Sequence, residues 1–220
     1  MHSFTEDNYL KAIYQLEEKT GGRVNNTDLA KALGIHPSTV TDMLKKMSER
    51  KLILYEKSKG FKLTEEGRKN AVGIIRRHRL WEVFLFSKLE FGWDEVHEIA
   101  EHLEHVQSED LTNRLDKFLG HPTTDPHGDP IPNQNGEFEK SKATLLSTLK
   151  SETTCVFSGV TDHTAAFLSY LDKIRLKLGD SIKIIEIEEY DNSFILRLER
   201  RRSITVSSKI ANSILVVAET

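Results

Sequence analysis

The sequence predicts a mainly α-helical chain with a C-terminal β domain: an N-terminal winged helix-turn-helix, a helical middle region and a small β-barrel at the C-terminus. Three observations predict it. Apolar residues recur at helical spacing through the first half of the chain. Two short β-prone runs interrupt that pattern directly after the third helix. From residue 153 onward the texture changes to β-branched runs separated by turns.

The first helix spans residues 5–19, with Tyr9, Leu10, Ile13, Tyr14 and Leu16 at helical spacing, and Gly21 and Gly22 end it. A second helix starts near Asn26, with Thr27 as the expected N-cap, and runs through Leu29, Ala30 and Leu33 to Gly34. A third opens at Pro37, which the first helical turn tolerates because its missing N–H would be unpaired there anyway. Its inner face is expected to carry Val40, Met43, Leu44 and Met47. Helix, tight turn and helix make a helix-turn-helix. The stretch LILYEKSKGFKLT then reads as two strands around a Lys-Ser-Lys-Gly tip, a wing.

A long helix begins after Thr64 and is expected to reach about Phe86; two more follow, one after Trp93-Asp94 and one over residues 108–119. Residues 120–135, rich in Pro, Gly, Asp and Asn, read as loop. Strands are expected at 154–157, 181–187, 193–199, 204–206 and 214–217, around one helix near 163–171. The domain reading is a DNA-binding winged helix-turn-helix over 1–72, a helical domain over 73–135, a linker over 136–152 and the β domain over 153–220.

Composition bounds the rest. At 220 residues with a formal net charge of -3, the chain has the make-up of an ordinary globular protein, so any basic surface must be local. Cys155 is its one cysteine, which excludes an intrachain disulfide and suits a reducing compartment. The polar, acidic start does not read as a signal peptide, and no window approaches the roughly 20 apolar residues of a membrane span. A cytoplasmic location is expected.

A helix-turn-helix presents the start of its second helix to the major groove. Here that places His36, Pro37, Ser38, Thr39 and Asp42 as readers of base edges. Between residues 31 and 62, eight Lys and Arg face three acids, a local basic excess within an acidic whole. Lys45, Lys46, Arg50, Lys57 and Lys59 are candidates for phosphate contact, with Thr39 and Thr41 beside them.

The middle region carries different chemistry. His78 and Glu82 are four apart and so share a helix face. On the next helix His97, Glu101, Glu104 and His105 fall within an arc of roughly 100° at the helical angular step. Imidazoles and carboxylates on one buried face call for a partner. A divalent cation provides one, because oxygen and neutral nitrogen donors suit Mn(II), Fe(II) and Zn(II). Six potential ligands exceed what one tetrahedral ion takes. The same cluster also suits a metallohydrolase, although no separate general base or oxyanion donor stands out. A metal-independent winged-helix repressor is the third option. No catalytic residues are assigned, and the chain is expected not to be an enzyme.

In these stretches the sequence resembles the metal-dependent repressors that include the diphtheria toxin repressor, the iron-dependent regulators and the manganese regulators. The matching segments are NYLKAIYQLEE, HPSTVTDMLKKM, RRHRLWEVFL, VHEIAEHLEHVQS and DPHGDPIP, within residues 5–132. The resemblance implies a homodimer on a palindromic operator in double-stranded DNA, with residues 94–119 at the dimer interface. It implies repression of metal-homeostasis genes when metal is abundant. It also implies two neighbouring metal positions, an ancillary one with His78, Glu82 and His97 and a regulatory one with Glu101, Glu104 and His105. The first helix would add Asn8 to the latter. Iron-type members carry a cysteine where this chain has Glu101, and that harder oxygen donor favours Mn(II), then Fe(II), with Zn(II) or Co(II) as in vitro substitutes. Lys11 stands where manganese-type members have a glutamate ligand, so their closely spaced ion pair is not expected here. The C-terminal, FeoA-like barrel resembles a third domain that lends ligands to the ancillary site. Asp162, His163 and Ala166 occupy that neighbourhood, and His163 is the candidate.

Overall fold

The structure, a computed structural model, describes residues 4–56, 60–139, 141–198 and 202–218. It divides into two compact units, one of residues 1–81, 100–118 and 132–137, the other of 82–99, 119–131 and 138–220.

In the first unit α1 (Phe4–Thr20), α2 (Asn26–Leu33) and α3 (Pro37–Glu49) precede a hairpin of β1 (Ile53–Glu56) and β2 (Gly60–Leu63). The N-cap of α2 is Asn25 rather than Thr27. Its Oδ1 accepts the Asp28 N–H at 2.9 Å, satisfying one of the backbone donors that a helix start leaves unpaired. Gly34 stops the helix in the left-handed region (φ 65°) and donates to the Ala30 and Lys31 carbonyls. In α3, Val40, Leu44 and Met47 are buried, whereas Met43 is only half-buried.

The two hairpin strands are antiparallel, with Ile53 opposite Leu63 and Tyr55 opposite Phe61. A further bridge ties Phe61 to Val24, just before α2. Gly60 makes that approach possible. Its φ is +82°, and a Cβ there would lie 2.3 Å from the Val24 carbonyl oxygen. The wing-tip residues Lys57 and Lys59, expected at phosphates, lie outside the described residues. Thr64 caps the next helix by accepting the Gly67 N–H at 3.0 Å.

That helix, α4 (Glu65–Leu89), continues three residues past the expected end at Phe86. It is followed by α5 (Val96–Leu103) and α6 (Glu109–Phe118). The first unit buries Leu10, Ile13, Leu29, Val40, Leu44, Met47, Phe61 and Ile74 almost completely. Each such side chain contributes roughly 1.5–3 kcal/mol of transfer free energy.

The second unit is built on a six-stranded sheet. Its strands are β3 (Thr144–Leu145), β4 (Thr154–Val160), β5 (Ser181–Ile187), β6 (Phe194–Leu198), β7 (Ser203–Val206) and β8 (Ile214–Ala218). Their spatial order is β3-β8-β4-β5-β6-β7, antiparallel throughout. The predicted barrel is therefore corrected to an open sheet. Closure would require β3 to pair with β7, and these are its two edges, one only two residues long. Residues 144–148, expected in the linker, join this unit: β3 pairs with β8, and Leu146 is fully buried. The helices α7 (Ala165–Lys173) and α8 (Ser208–Ala211) belong to the same unit. Leu168 and Leu171 of α7 pack with Phe157, Ile182, Ile184, Leu196 and Val216.

Candidate functional site

In the first unit three segments converge: α1, the part of α4 up to Trp81, and the end of α5 with the residues after it. Glu104 is fully buried just past α5. His78 Nδ1 lies 2.6 Å from Glu104 Oε2 and 3.9 Å from Glu101 Oε1. Lys11 donates from Nζ to Glu104 Oε1 and Oε2 at 2.9 and 2.8 Å, and to Glu101 Oε1 at 2.5 Å. Burial alone would raise the Glu104 carboxyl; the His78 hydrogen bond and the Lys11 charge outweigh it and hold the group below the ordinary carboxylate range. The Arg77 guanidinium donates to the Glu104 carbonyl at 2.6 Å, which fixes the backbone there.

Beside this group His105 Nδ1 lies 3.2 Å from Asp7 Oδ2, which also accepts from Gln107 Nε2 at 3.2 Å. Asp7 was not among the expected residues, although it precedes Asn8. Its Oδ1 and the Asn8 Oδ1 are buried without a hydrogen-bond partner. Two unpartnered oxygens on α1 are acceptors that a cation would satisfy.

In the second unit a second group forms around Glu82, which is 1% exposed. His97 Nδ1 is 3.1 Å from Glu82 Oε1, and His127 Nδ1 is 3.6 Å from the same oxygen. Donor atoms of Glu82, Asp125 and His127, all buried, lie within 4.8 Å of one another. The His163 ring stands edge-on to His127 at 5.2 Å and stacks with His97 at 6.3 Å. Its buried Nε2, 3.5 Å from Asp129 Oδ2, makes no hydrogen bond.

Sequence reasoning missed Asp125 and His127 because they sit in a loop without periodicity. The local chemistry is nevertheless specific. Asp125 Oδ1 accepts the backbone N–H groups of His127 and Asp129 at 2.8 and 3.0 Å, folding the Asp-Pro-His-Gly-Asp segment into a turn. Gly128, at φ +88°, lets that turn approach β4 so closely that a Cβ would lie 2.1 Å from the Ser158 carbonyl oxygen. The Val160 N–H bonds the His127 carbonyl at 2.9 Å. His127 Nε2 donates to the Trp93 carbonyl at 2.7 Å. In the neutral ring that assignment leaves Nδ1 with a lone pair facing Glu82. Burial lowers the His127 pKa, but Glu82, Asp125 and the Trp93 carbonyl overrule it and raise the value above that of an ordinary histidine. His163 goes the other way, lowered by burial and by His127 and His97 despite Asp129 and Glu82. A carboxylate that favours a proton on its neighbouring imidazole also favours a metal ion in its place. The donor set is thus two carboxylates with three imidazoles, and the unpartnered His163 nitrogen fits a cation.

The helix-turn-helix presents His36, Pro37, Ser38, Thr39, Asp42, Lys45 and Lys46 as exposed residues. His36 has a second task as the N-cap of α3, accepting from the Ser38 N–H. Thr41 is half-buried, donating to the Pro37 carbonyl at 3.3 Å and accepting from Asn26 Nδ2 at 3.0 Å, so its hydroxyl joins α2 to α3.

Two family profiles match consecutive stretches in the first 133 residues of this chain. The iron dependent repressor N-terminal DNA binding domain matches residues 1–61, and the iron dependent repressor metal binding and dimerisation domain matches 64–133. A manganese-dependent transcriptional repressor, solved in complex with manganese, is 31% identical over 97% of this chain and 100% of its own, with a TM-score of 0.86. This chain belongs to the iron-dependent repressor family. The HTH-type transcriptional regulator MntR of Bacillus velezensis is 38% identical over 50% of this chain and 75% of its own length. The iron-dependent repressor IdeR of Mycobacterium tuberculosis is 39% identical over 58% of this chain, but the match spans 55% of that protein. The structure of ScaR with bound Zn2+ is 32% identical over 96% of this chain and 98% of its own, with a TM-score of 0.75. A FeoA domain profile matches 144–218, the sheet itself. The metal-binding profile contains every residue of both groups except Asp7, Asn8, Lys11 and His163.

Proposed function

We propose that this chain is a metal-activated, DNA-binding repressor that senses Mn(II) or Fe(II) and controls metal-homeostasis genes as a homodimer in the cytoplasm. The observation that carries the proposal is the buried carboxylate and imidazole group around Glu82, in a chain whose α3 face is exposed and flanked by basic residues. Glu82, Asp125 and His127 would hold one ion, with His97 and His163 as further donors. Glu104, Glu101, His105 and the α1 oxygens of Asp7 and Asn8 would be the donors of the other position; His78, expected beside Glu82 and His97, lies against Glu104 and would join them. His105 is held on Asp7. When bound, a divalent ion supplies positive charge that lets buried carboxylates from separate segments share one partner. The oxygen-rich set favours Mn(II), then Fe(II); Zn(II) and Co(II) would compete for the same donors in vitro.

Binding shifts the dimer toward the DNA-competent state only as far as that state holds the ion more tightly. Pro37, Ser38, Thr39 and Asp42 would then meet base edges, and Lys45 and Lys46 phosphates, in each half of a palindromic operator. The test is fluorescence anisotropy on duplex from the gene's own upstream region, titrated with Mn(II) and then with chelator. Reversible, metal-dependent binding is expected. Tight binding indifferent to metal would overturn the sensing role, and no binding in either condition would overturn the repressor reading.

A further inference from the structure

The first-unit group already contains a cation. The Lys11 side chain is 11% exposed and the Glu104 side chain 0%, so the pair is removed from water. The three ammonium hydrogens are matched by three short contacts, two to Glu104 and one to Glu101. These are the same carboxylates that would ligate a metal there. An ion bound to them would sit about 2.0–2.2 Å from the oxygens for a first-row metal, inside the space of the 2.5–2.9 Å ammonium contacts. Two cations at such separation repel strongly in a low-dielectric site. Ammonium and metal therefore exclude one another.

We propose that Lys11 is a tethered occupant of the Glu101/Glu104 position, so that a divalent ion enters it only by displacing the lysine ammonium from both carboxylates. Resting on the metal-sensing reading above, this makes Lys11 the residue that sets the metal threshold of that position. It also means that α1 is already joined to the end of α5 by an ionic contact before metal arrives. Metal exchanges one link between these segments for another, through Asp7 and Asn8 on the same helix. Removing the ammonium takes the lysine charge away from both carboxylates, leaving His78 on Glu104, and raises their appetite for a divalent ion.

The test isolates this position. In a Glu82→Gln background, which weakens the other group, Mn(II) binding is measured by isothermal calorimetry with and without Lys11→Met, using circular dichroism as a fold control. The double variant is expected to bind Mn(II) at least tenfold more tightly than Glu82→Gln alone. Equal or weaker binding would overturn the proposal. A second measurement needs no variant. Amine-reactive labelling of the native protein, read by mass spectrometry, should find Lys11 protected without metal and reactive at saturating Mn(II). Labelling of Lys11 that does not respond to bound Mn(II) refutes the displacement while leaving the sensing role intact. If Mn(II) does not bind at all, both readings fall together.

Discussion

Glu82 is the residue on which the second group turns, because both His97 and His127 address a single one of its oxygens. Glu82→Gln keeps the shape and removes the charge. It is expected to weaken Mn(II) binding by at least tenfold, the usual scale for disturbing a metal site's immediate partners, as read by chelator competition. An unchanged affinity would remove Glu82 from the ligand set. Gly128 is the other sensitive single position. A methyl group there meets the Ser158 carbonyl while the backbone sits at φ +88°. Gly128→Ala should therefore cost about 1–3 kcal/mol of stability in urea denaturation and loosen His127 with it. The residue scale is also where sequence reading was most uneven. Helical spacing brought His78, Glu82, His97 and Glu101 forward because period is visible without a structure. Asp125 and His127 owe their placement to an Asx turn and a glycine approach to β4, which no periodicity announces. Asp7 was passed over because Asn8, one residue on, matched the resemblance.

Among elements, the cap that opens α2 and the exposed face of α3 each offer a test of the DNA-reading half. Asn25→Ala removes the N-cap of α2 and should cost about 1 kcal/mol. Lys45→Ala on exposed α3 is expected to weaken DNA binding evenly across sequences and to lower the salt dependence of log K by about one. An altered sequence preference without a change in salt slope would place Lys45 at a base instead. The elements themselves were largely legible in the sequence: helix-turn-helix, wing, long helix and β-rich end all follow from period and turn residues. Closure of the sheet was not. Alternation fixes which face of a strand is buried, but it is silent on which strands pair, so an open order with β3 and β7 at its edges and a closed barrel produce the same pattern. The α2 cap was misplaced by two residues because Asn25 and Thr27 are both good caps.

For the whole molecule, the formal charge of -3 and a locally basic α3 and wing region coexist because charge is distributed by segment. Metal belongs to this scale too, since an ion that binds only the folded chain stabilises it by mass action. At free Mn(II) about a hundredfold above its dissociation constant, the gain is about 2.7 kcal/mol per site. Chelator should therefore lower the melting temperature along with the DNA affinity, and a melting temperature indifferent to chelator would argue against a site of useful affinity.

Trp93 gives the second group an optical voice. Its carbonyl holds His127, its ring stacks on that imidazole at 6.2 Å, and its indole N–H is anchored on Asp172 at 2.9 Å. Under the proposed metal binding, the imidazole beside this anchored indole would trade a proton for a metal ion. The indole emission should then report ligation by the imidazole stacked 6.2 Å away, in a chain with only one other tryptophan. Metal loading is therefore expected to be visible in unlabelled protein, in real time and without DNA, and Trp93→Phe should silence that signal while Trp81 still fluoresces.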